Sequence, residues 1–232
     1  MPKKPLAWAI GAVSVLAIAI YTASQVSPWP SSLTYRLYRL TMPRVAARLN
    51  ERYDTSNPDA VLDVYYPSEV ENTDRSLPTI VWVHGGAFRA GSKDGIADYL
   101  KILAAKNYTL VGVNYSLAPA KIYPTPILQV NAALAFLEKN AARLHVDASK
   151  LFFAGDSAGA QIAAQLAVVI SNSAYANQMG VTPSIDRRQL KGVILHCGLY
   201  DLRGGGETRA SIARTYPGNE DFLNDRALKS SL

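Results

Sequence analysis

One serine lies in a setting that could make it a nucleophile. Ser157 is the centre of Gly-Asp-Ser-Ala-Gly at residues 155–159, which follows the short apolar run 151–154 and precedes a stretch rich in Ala, Leu and Ile. This order predicts a strand, a sharp turn and a helix, with the serine at the apex of the turn. Amides at the start of such a helix would face negative charge that forms at the serine. Two interpretations are a nucleophile for acyl transfer and a chance turn of small residues.

A second segment would supply what such a nucleophile needs. The apolar run 79–83 leads directly into His-Gly-Gly-Ala-Phe at residues 84–88, called the HGG loop below. Attack by serine creates an oxyanion, and the backbone amides of a glycine-rich loop can stabilise it because no side chain blocks their approach. The two segments together favour chemistry over chance. They predict an oxyanion hole formed by the amides of Gly85, Gly86 and Ala158.

Three segments of the chain resemble the hormone-sensitive-lipase-like branch of the α/β-hydrolases, which includes many bacterial carboxylesterases. They are HGGAF at 84–88, VNYSLAP at 113–119 and GDSAGA at 155–160, and the likeness extends over about residues 53–202. It departs from the common pattern at Ala87, where a third glycine is frequent. It departs again at 114–116, where Asn-Tyr-Ser replaces Asp-Tyr-Arg. These differences would alter the substrate pocket rather than the amide donors.

The resemblance implies an α/β-hydrolase fold, with a mostly parallel sheet covered by helices on both faces. It also implies hydrolysis of small acyl esters through an acyl-enzyme on Ser157. No metal cluster, phosphate loop or dinucleotide fingerprint occurs in the sequence, so we expect no cofactor and no metal. Two alternatives stay open: hydrolysis of amides or formamides at the same site, and a hydrolase-like fragment without catalytic activity.

The base that Ser157 needs cannot be identified in the sequence. A serine hydroxyl requires a base to remove its proton, and in this fold the acid and then the histidine follow the serine along the chain. The chain has three histidines. His84 begins the HGG loop and is structural in the proteins that the chain resembles. His145 precedes the apolar run 151–154, and His196 lies inside another apolar run. None of them is a convincing base.

The acid is equally hard to place. Asp201 follows a strand-like run, but the resemblance puts the acid after the next strand, and residues 203–232 are polar. We therefore expect the last strand or strands, the acid and the histidine to lie beyond Leu232. On this interpretation the chain is a truncated hydrolase that is close to inactive by itself. Asp156 is predicted to bond to backbone near the HGG loop, and Tyr115 to brace that loop.

Strands and helices alternate from residue 79 onward, as in a mostly parallel sheet. The predicted strands are 61–66, 79–83, 109–115, 151–154 and 192–198, and the predicted helices are 96–105 and 127–144. The strand at 61–66 is expected to be an antiparallel strand at the edge of the sheet. The predicted organisation is an anchor or signal peptide at 1–30, a juxtamembrane or lid helical segment at 31–52, and an incomplete hydrolase domain at 53–232.

The N-terminus predicts a membrane anchor. Lys3 and Lys4 precede an uncharged span at residues 6–23. As a helix this span would extend for about 27 Å, close to the thickness of the hydrocarbon core. We expect a single-pass protein of the cytoplasmic membrane with its hydrolase domain outside. The alternative is secretion after cleavage of a signal peptide, although Tyr21-Thr22-Ala23 is a poor cleavage site.

Composition limits the remaining function classes. The chain has 232 residues, of which 49% are hydrophobic, and this suits one α/β domain with appendages. Its net charge is +6, but no block of Lys and Arg indicates a nucleic-acid partner. Cys197 is the one cysteine, so an internal disulfide is excluded, and its apolar surroundings predict that it is buried.

Overall fold

The computed structural model describes residues 44–200 together with Ile212 and Tyr216. The strands among these residues are β1 (Val45–Arg52), β2 (Val61–Pro67), β3 (Leu77–Val83), β4 (Thr109–Val113), β5 (Val146–Asp156) and β6 (Leu190–His196). They form one sheet in the order β1-β2-β4-β3-β5-β6. β1 and β2 pair antiparallel, as do β2 and β4, whereas β4, β3, β5 and β6 are parallel to one another. The carboxyl ends of the parallel strands therefore meet at one edge of the sheet.

Helices cover both faces of this sheet. They are α1 (Lys93–Ala104), α2 (Thr125–Lys139), α3 (Ala158–Ser171) and α4 (Ser173–Met179), with a short 3-10 helix at Ser68–Val70. Side chains alternate along β3: Ile80 and Trp82 pack with α1, whereas Val81 and Val83 join the core beneath α2 and α3. The predicted α/β architecture with a mostly parallel sheet is confirmed. The helix predicted at 127–144 ends earlier, at Lys139.

The prediction of a helical segment at 31–52 is wrong for its last part. Residues 45–52 form β1, which takes the edge position that we predicted for the strand at 61–66. The backbone groups along the free side of β2 need partners, and β1 supplies them through antiparallel pairing. The rest of that segment, up to residue 43, lies outside the described residues.

Cys197 was also predicted incorrectly, because it is exposed. The apolar run that contains it forms β6, where Val193 and Ile194 are each 42% exposed. An apolar run therefore did not indicate burial at this position.

The predicted anchor at residues 6–23 lies outside the described part of the chain. Within the part that is described, no helix is both long enough and apolar enough to cross a bilayer. The expectation of further strands beyond Leu232 is likewise not tested by the structure.

A buried ion pair joins the start of α1 to β2. The Lys93 Nζ lies 3.0 Å from Asp63 Oδ1 and 3.0 Å from Asp94 Oδ1, and the Lys93 and Asp63 side chains are 4% and 3% exposed. Asp63 also accepts hydrogen bonds from the Tyr65 hydroxyl and the Asn50 amide. Burial alone would lower the pKa of Lys93, but the hydrogen bonds to Asp94 and Asp63 outweigh it and raise that pKa. The pair ties the segment after the HGG loop to the antiparallel half of the sheet.

Replacing Lys93 by methionine should lower the free energy of unfolding by about 3–5 kcal/mol, because the Asp63 carboxylate would stay buried without its main cation. Urea denaturation at pH 7 measures this loss. Lys101→Met is the matched control, because the Lys101 and Asp98 side chains are 36% and 60% exposed. An exposed pair of this kind should contribute under about 1 kcal/mol.

The same pair predicts a pH dependence. Folding raises the pKa of Lys93. The stabilisation that the Lys93 charge gives the folded state is therefore fully present below the unfolded pKa of about 10.4 and is lost as pH rises through the folded pKa.

Equal losses of unfolding free energy for Lys93→Met and Lys101→Met would contradict the assignment of a stabilising buried pair.

Candidate active site

The predicted turn between a strand and a helix is confirmed at Ser157. This residue follows the last residue of β5 and precedes the first residue of α3, with φ 50° and ψ −115°. A positive φ is unfavourable for a residue that carries a Cβ, and strained backbone of this kind is typical of a nucleophile elbow. The Ser157 amide donates to the carbonyl of His196 at 2.8 Å, and the Ser157 carbonyl accepts from the Gln161 amide at 3.2 Å. The hydroxyl is thereby placed at the carboxyl edge of the parallel strands.

Two glycines allow this turn to pack against the sheet. A Cβ on Gly155 would lie 2.6 Å from the carbonyl carbon of Gly159. A Cβ on Gly159 would overlap the carbonyl oxygen of Val83 at the end of β3. The first turn of α3 therefore lies directly on the backbone of β5 and β3, with no side chain between them.

Asp156 and Tyr115 hold the HGG loop beside the turn. Asp156 Oδ1 accepts a hydrogen bond from the Gly85 amide at 3.1 Å and another from the Trp82 indole at 3.1 Å. The Tyr115 hydroxyl donates to the carbonyl of His84 at 3.0 Å. Both contacts agree with the structural roles predicted for Asp156 and Tyr115. The contribution of Trp82 was not predicted, because nothing in an apolar strand distinguishes an indole that packs from one that donates.

The contact between Gly85 and Asp156 changes one predicted role. We predicted that Gly85, Gly86 and Ala158 all supply oxyanion donors, but the Gly85 amide is directed to the carboxylate in this structure. Within the described part of the chain, the amides of Gly86 and Ala158 have no hydrogen-bond acceptor. Gly86 has φ 120°, which only glycine adopts readily. Gly86 and Ala158 thus remain as candidate donors, and Gly85 anchors the loop.

His84 is a buried structural residue. Its ring stacks on that of Tyr115 with centroids 4.4 Å apart, and its Nδ1 lies 2.8 Å from the carbonyl oxygen of Gly85. Burial lowers the pKa of His84 below its usual value, which favours the neutral ring. This agrees with the structural role that the resemblance implied for this residue.

The other two histidines are also directed away from Ser157. His145 lies at the opposite end of β5, where its Nδ1 is 2.9 Å from the carbonyl oxygen of Arg75. The seven residues of β3 are separated by six steps, so the two edges of the sheet are about 20 Å apart. The His196 ring stacks on Trp82 with centroids 5.5 Å apart, on the face covered by α1, whereas Ser157 leads into α3 on the other face.

No histidine of the chain is therefore placed to act on Ser157. The sequence contains three histidines, and all of them are in the described residues. Asp201 lies outside the described part, so its role stays a prediction. The described residues include no group of His, Cys, Asp and Glu that could hold a metal ion, and the expected absence of a cofactor also stays a prediction.

Comparison with known proteins gives a family and a set of similar structures. The family model described as BD-FAE matches residues 62–231. Esterase B from Lactobacillus rhamnosis is 22% identical with a TM-score of 0.69, and the match covers 92% of this chain and 70% of that one. An esterase from Pyrobaculum calidifontis is 23% identical with a TM-score of 0.62, over 84% of this chain and 64% of that one.

A third similar structure is one of two fungal esterases from Rhizomucor miehei. It is 24% identical with a TM-score of 0.62, over 90% of this chain and 70% of that one. At such identities the likeness establishes the fold. The resemblance to α/β-hydrolases that we predicted from the three motifs is confirmed.

Asp156 offers a test of how the loop is held. Asp156→Ala should lower the free energy of unfolding by about 2–3 kcal/mol, because the Gly85 amide and the Trp82 indole would both lose their acceptor. Asp156→Asn should cost less than about 1 kcal/mol, since its carbonyl oxygen can accept from both donors. Urea denaturation compares the two variants. Equal destabilisation would mean that the negative charge, rather than the acceptor, holds the loop.

Proposed function

The chain belongs to the BD-FAE family of α/β-hydrolase-like proteins, and from this premise we propose that it hydrolyses carboxylic esters through an acyl-enzyme on Ser157. The observation that carries the proposal is the meeting of two backbone segments at the carboxyl edge of the parallel strands. Ser157 lies on a strained turn with φ 50°, and the HGG loop is bonded to the residue before it through Asp156 and Gly85 at 3.1 Å. These two contacts support a site in which the Ser157 hydroxyl lies beside the amides of Gly86 and Ala158.

The chemistry of the proposed reaction follows from these groups. The Ser157 hydroxyl attacks the ester carbonyl, and its proton passes to a base while the carbonyl oxygen becomes an oxyanion. The amides of Gly86 and Ala158 stabilise that oxyanion, aided by the positive end of the α3 dipole. The alcohol then leaves with a proton, and water hydrolyses the acyl-enzyme to release the acid. None of the three histidines of the chain is directed to Ser157 in the structure.

Small acyl esters are the proposed substrates. The inhibited form of the Lactobacillus rhamnosis esterase B contains a tributyrin phosphonate, so a butyrate ester is a reasonable first substrate for this chain. A second candidate function is a hydrolase-like protein without turnover. The placement of all three histidines away from Ser157 favours it.

Labelling of Ser157 tests the proposal. The full chain is treated with a fluorophosphonate, and the modified peptide is identified by mass spectrometry. We expect slow labelling at Ser157, because no base activates the hydroxyl. Added imidazole should accelerate it about tenfold, because a positioned general base contributes about 10²–10⁴ and a diffusing one contributes less.

Ser157→Ala is the control for this experiment and should remove the imidazole-dependent label. Turnover of p-nitrophenyl butyrate and of the corresponding anilide, measured under the same conditions, separates ester from amide hydrolysis. Absence of label at Ser157 with imidazole present would overturn the proposal in favour of the second candidate. Rapid labelling without imidazole would mean that one of the three histidines does reach the serine.

We also propose that residues 6–23 retain the protein in the cytoplasmic membrane, with the hydrolase domain outside. The uncharged span and the lysines before it support this location. After expression of the full chain in bacteria, the protein should sediment with membranes and resist extraction by carbonate. A soluble protein whose N-terminus lies near Ser24 or Gln25 would instead indicate a cleaved signal peptide.

A further inference from the structure

Tyr216 packs face to face on the last residue of the HGG loop. The rings of Tyr216 and Phe88 are nearly parallel, at 11°, with centroids 3.7 Å apart, and each residue is 1% exposed. The backbone of Phe88 has φ 62°, and its carbonyl accepts a hydrogen bond from the Ala118 amide at 2.8 Å. The stack therefore covers a part of the loop whose backbone conformation is unfavourable by itself.

The same residue is bonded to the segment that precedes α2. The Tyr123 amide donates to the carbonyl of Tyr216 at 2.9 Å, and the two rings meet edge to face at 5.9 Å. The Tyr123 hydroxyl donates its one proton to the Met179 sulfur at 3.1 Å. Its lone pairs then accept from the Gln165 side-chain nitrogen at 2.7 Å.

These contacts join the two halves of the proposed oxyanion hole. Gln165 belongs to α3, the helix that begins with Ala158. A path of direct contacts therefore extends from the HGG loop through Tyr216 and Tyr123 to the elbow helix. Asp156 lies just before α3, on the face of the sheet that α1 covers. It also connects the HGG loop to α3, through its hydrogen bond with the Gly85 amide. The loop is thus held on two sides.

We propose that Tyr216 is a positioning residue for the oxyanion hole, a role that rests on the proposed ester hydrolysis. Its ring holds the HGG loop against α3 at the spacing that lets the Gly86 and Ala158 amides share one oxyanion. Three consecutive loop residues have positive φ: Gly86 at 120°, Ala87 at 55° and Phe88 at 62°. Such a loop needs external contacts to keep its amides aligned. The Tyr216 hydroxyl has no hydrogen-bond partner among the described residues, so the role belongs to the ring.

A matched control exists in the same chain. Tyr66 is also fully buried, and its hydroxyl also lacks a hydrogen-bond partner among the described residues. Its ring packs on that of His145, with centroids 4.5 Å apart, at the opposite end of the sheet from Ser157. Tyr66→Ala and Tyr216→Ala therefore remove the same side chain from two equally buried places, of which one contacts the HGG loop.

Hydrogen exchange of the full-length protein measures the positioning role directly. The Arg89 and Ala90 amides donate to the carbonyl of Gly86, and the Ala118 amide donates to that of Phe88. In Tyr216→Ala the exchange rate of these three amides, divided by that of the β3 amides, should be at least tenfold higher than in the wild type. Tyr216→Phe should leave them unchanged. Tyr66→Ala should lower the melting temperature without this local increase. If Tyr216→Ala does not fold, Tyr216→Leu fills much of the volume without a stack and should give the same result.

Labelling of Ser157 with imidazole present supplies the second measurement. In Tyr216→Ala the limiting rate of labelling should fall at least tenfold while the reagent concentration at half-maximal rate stays the same. In Tyr216→Phe, which keeps the ring, the limiting rate of labelling should equal that of the wild type. If Tyr66→Ala and the Tyr216 variants accelerate exchange to the same extent throughout the domain, Tyr216 is a core residue and the inference is wrong. Local exchange that rises while wild-type Ser157 takes no label would uphold the loop contact but overturn the proposed function.

Discussion

The close approach of α3 to the sheet is the constraint on which the rest of the site depends. Gly155 and Gly159 carry no Cβ, so the first turn of the helix lies directly on the backbone of β5 and β3. At this contact Ser157 has a φ of 50°, an unfavourable conformation that persists only where the surrounding structure holds it. Because the helix begins there, its unpaired amides meet the loop that follows β3. One backbone contact thus places the proposed nucleophile and one of the two proposed oxyanion donors.

The residues of the HGG loop have different structural roles. The Gly85 amide is bonded to Asp156, so this glycine fixes the loop to the elbow, while Gly86 makes the turn that leaves its own amide free. Ala87 has φ 55°, which is unfavourable for a residue that carries a Cβ. Contacts on either side of the loop, from Tyr115 to His84 and from Tyr216 to Phe88, hold a conformation that alanine does not favour. Buried aromatic residues thus contact the loop on two sides.

The sequence was sufficient to predict the elements whose signals are local. The turn at Ser157, the HGG loop and the parallel strands all follow from apolar runs that end in small residues. Three features depended on contacts between distant segments and could not be predicted. β1 is stabilised by antiparallel pairing with β2, and its own sequence does not indicate that pairing. The amide that bonds to Asp156 is that of Gly85, a residue that we predicted to be an oxyanion donor. Tyr216 comes from a polar stretch in which no periodicity indicates burial.

The most direct test of the central claim is a crystal structure of the protein after long incubation with a butyl phosphonate. The account predicts a covalent bond from phosphorus to Ser157 Oγ. It also predicts a phosphonyl oxygen about 2.7–3.1 Å from the amide nitrogens of both Gly86 and Ala158. The Gly85 amide should remain on Asp156. A phosphonyl oxygen bound by the Gly85 amide instead of Gly86, or phosphorus attached to another residue, would contradict the account.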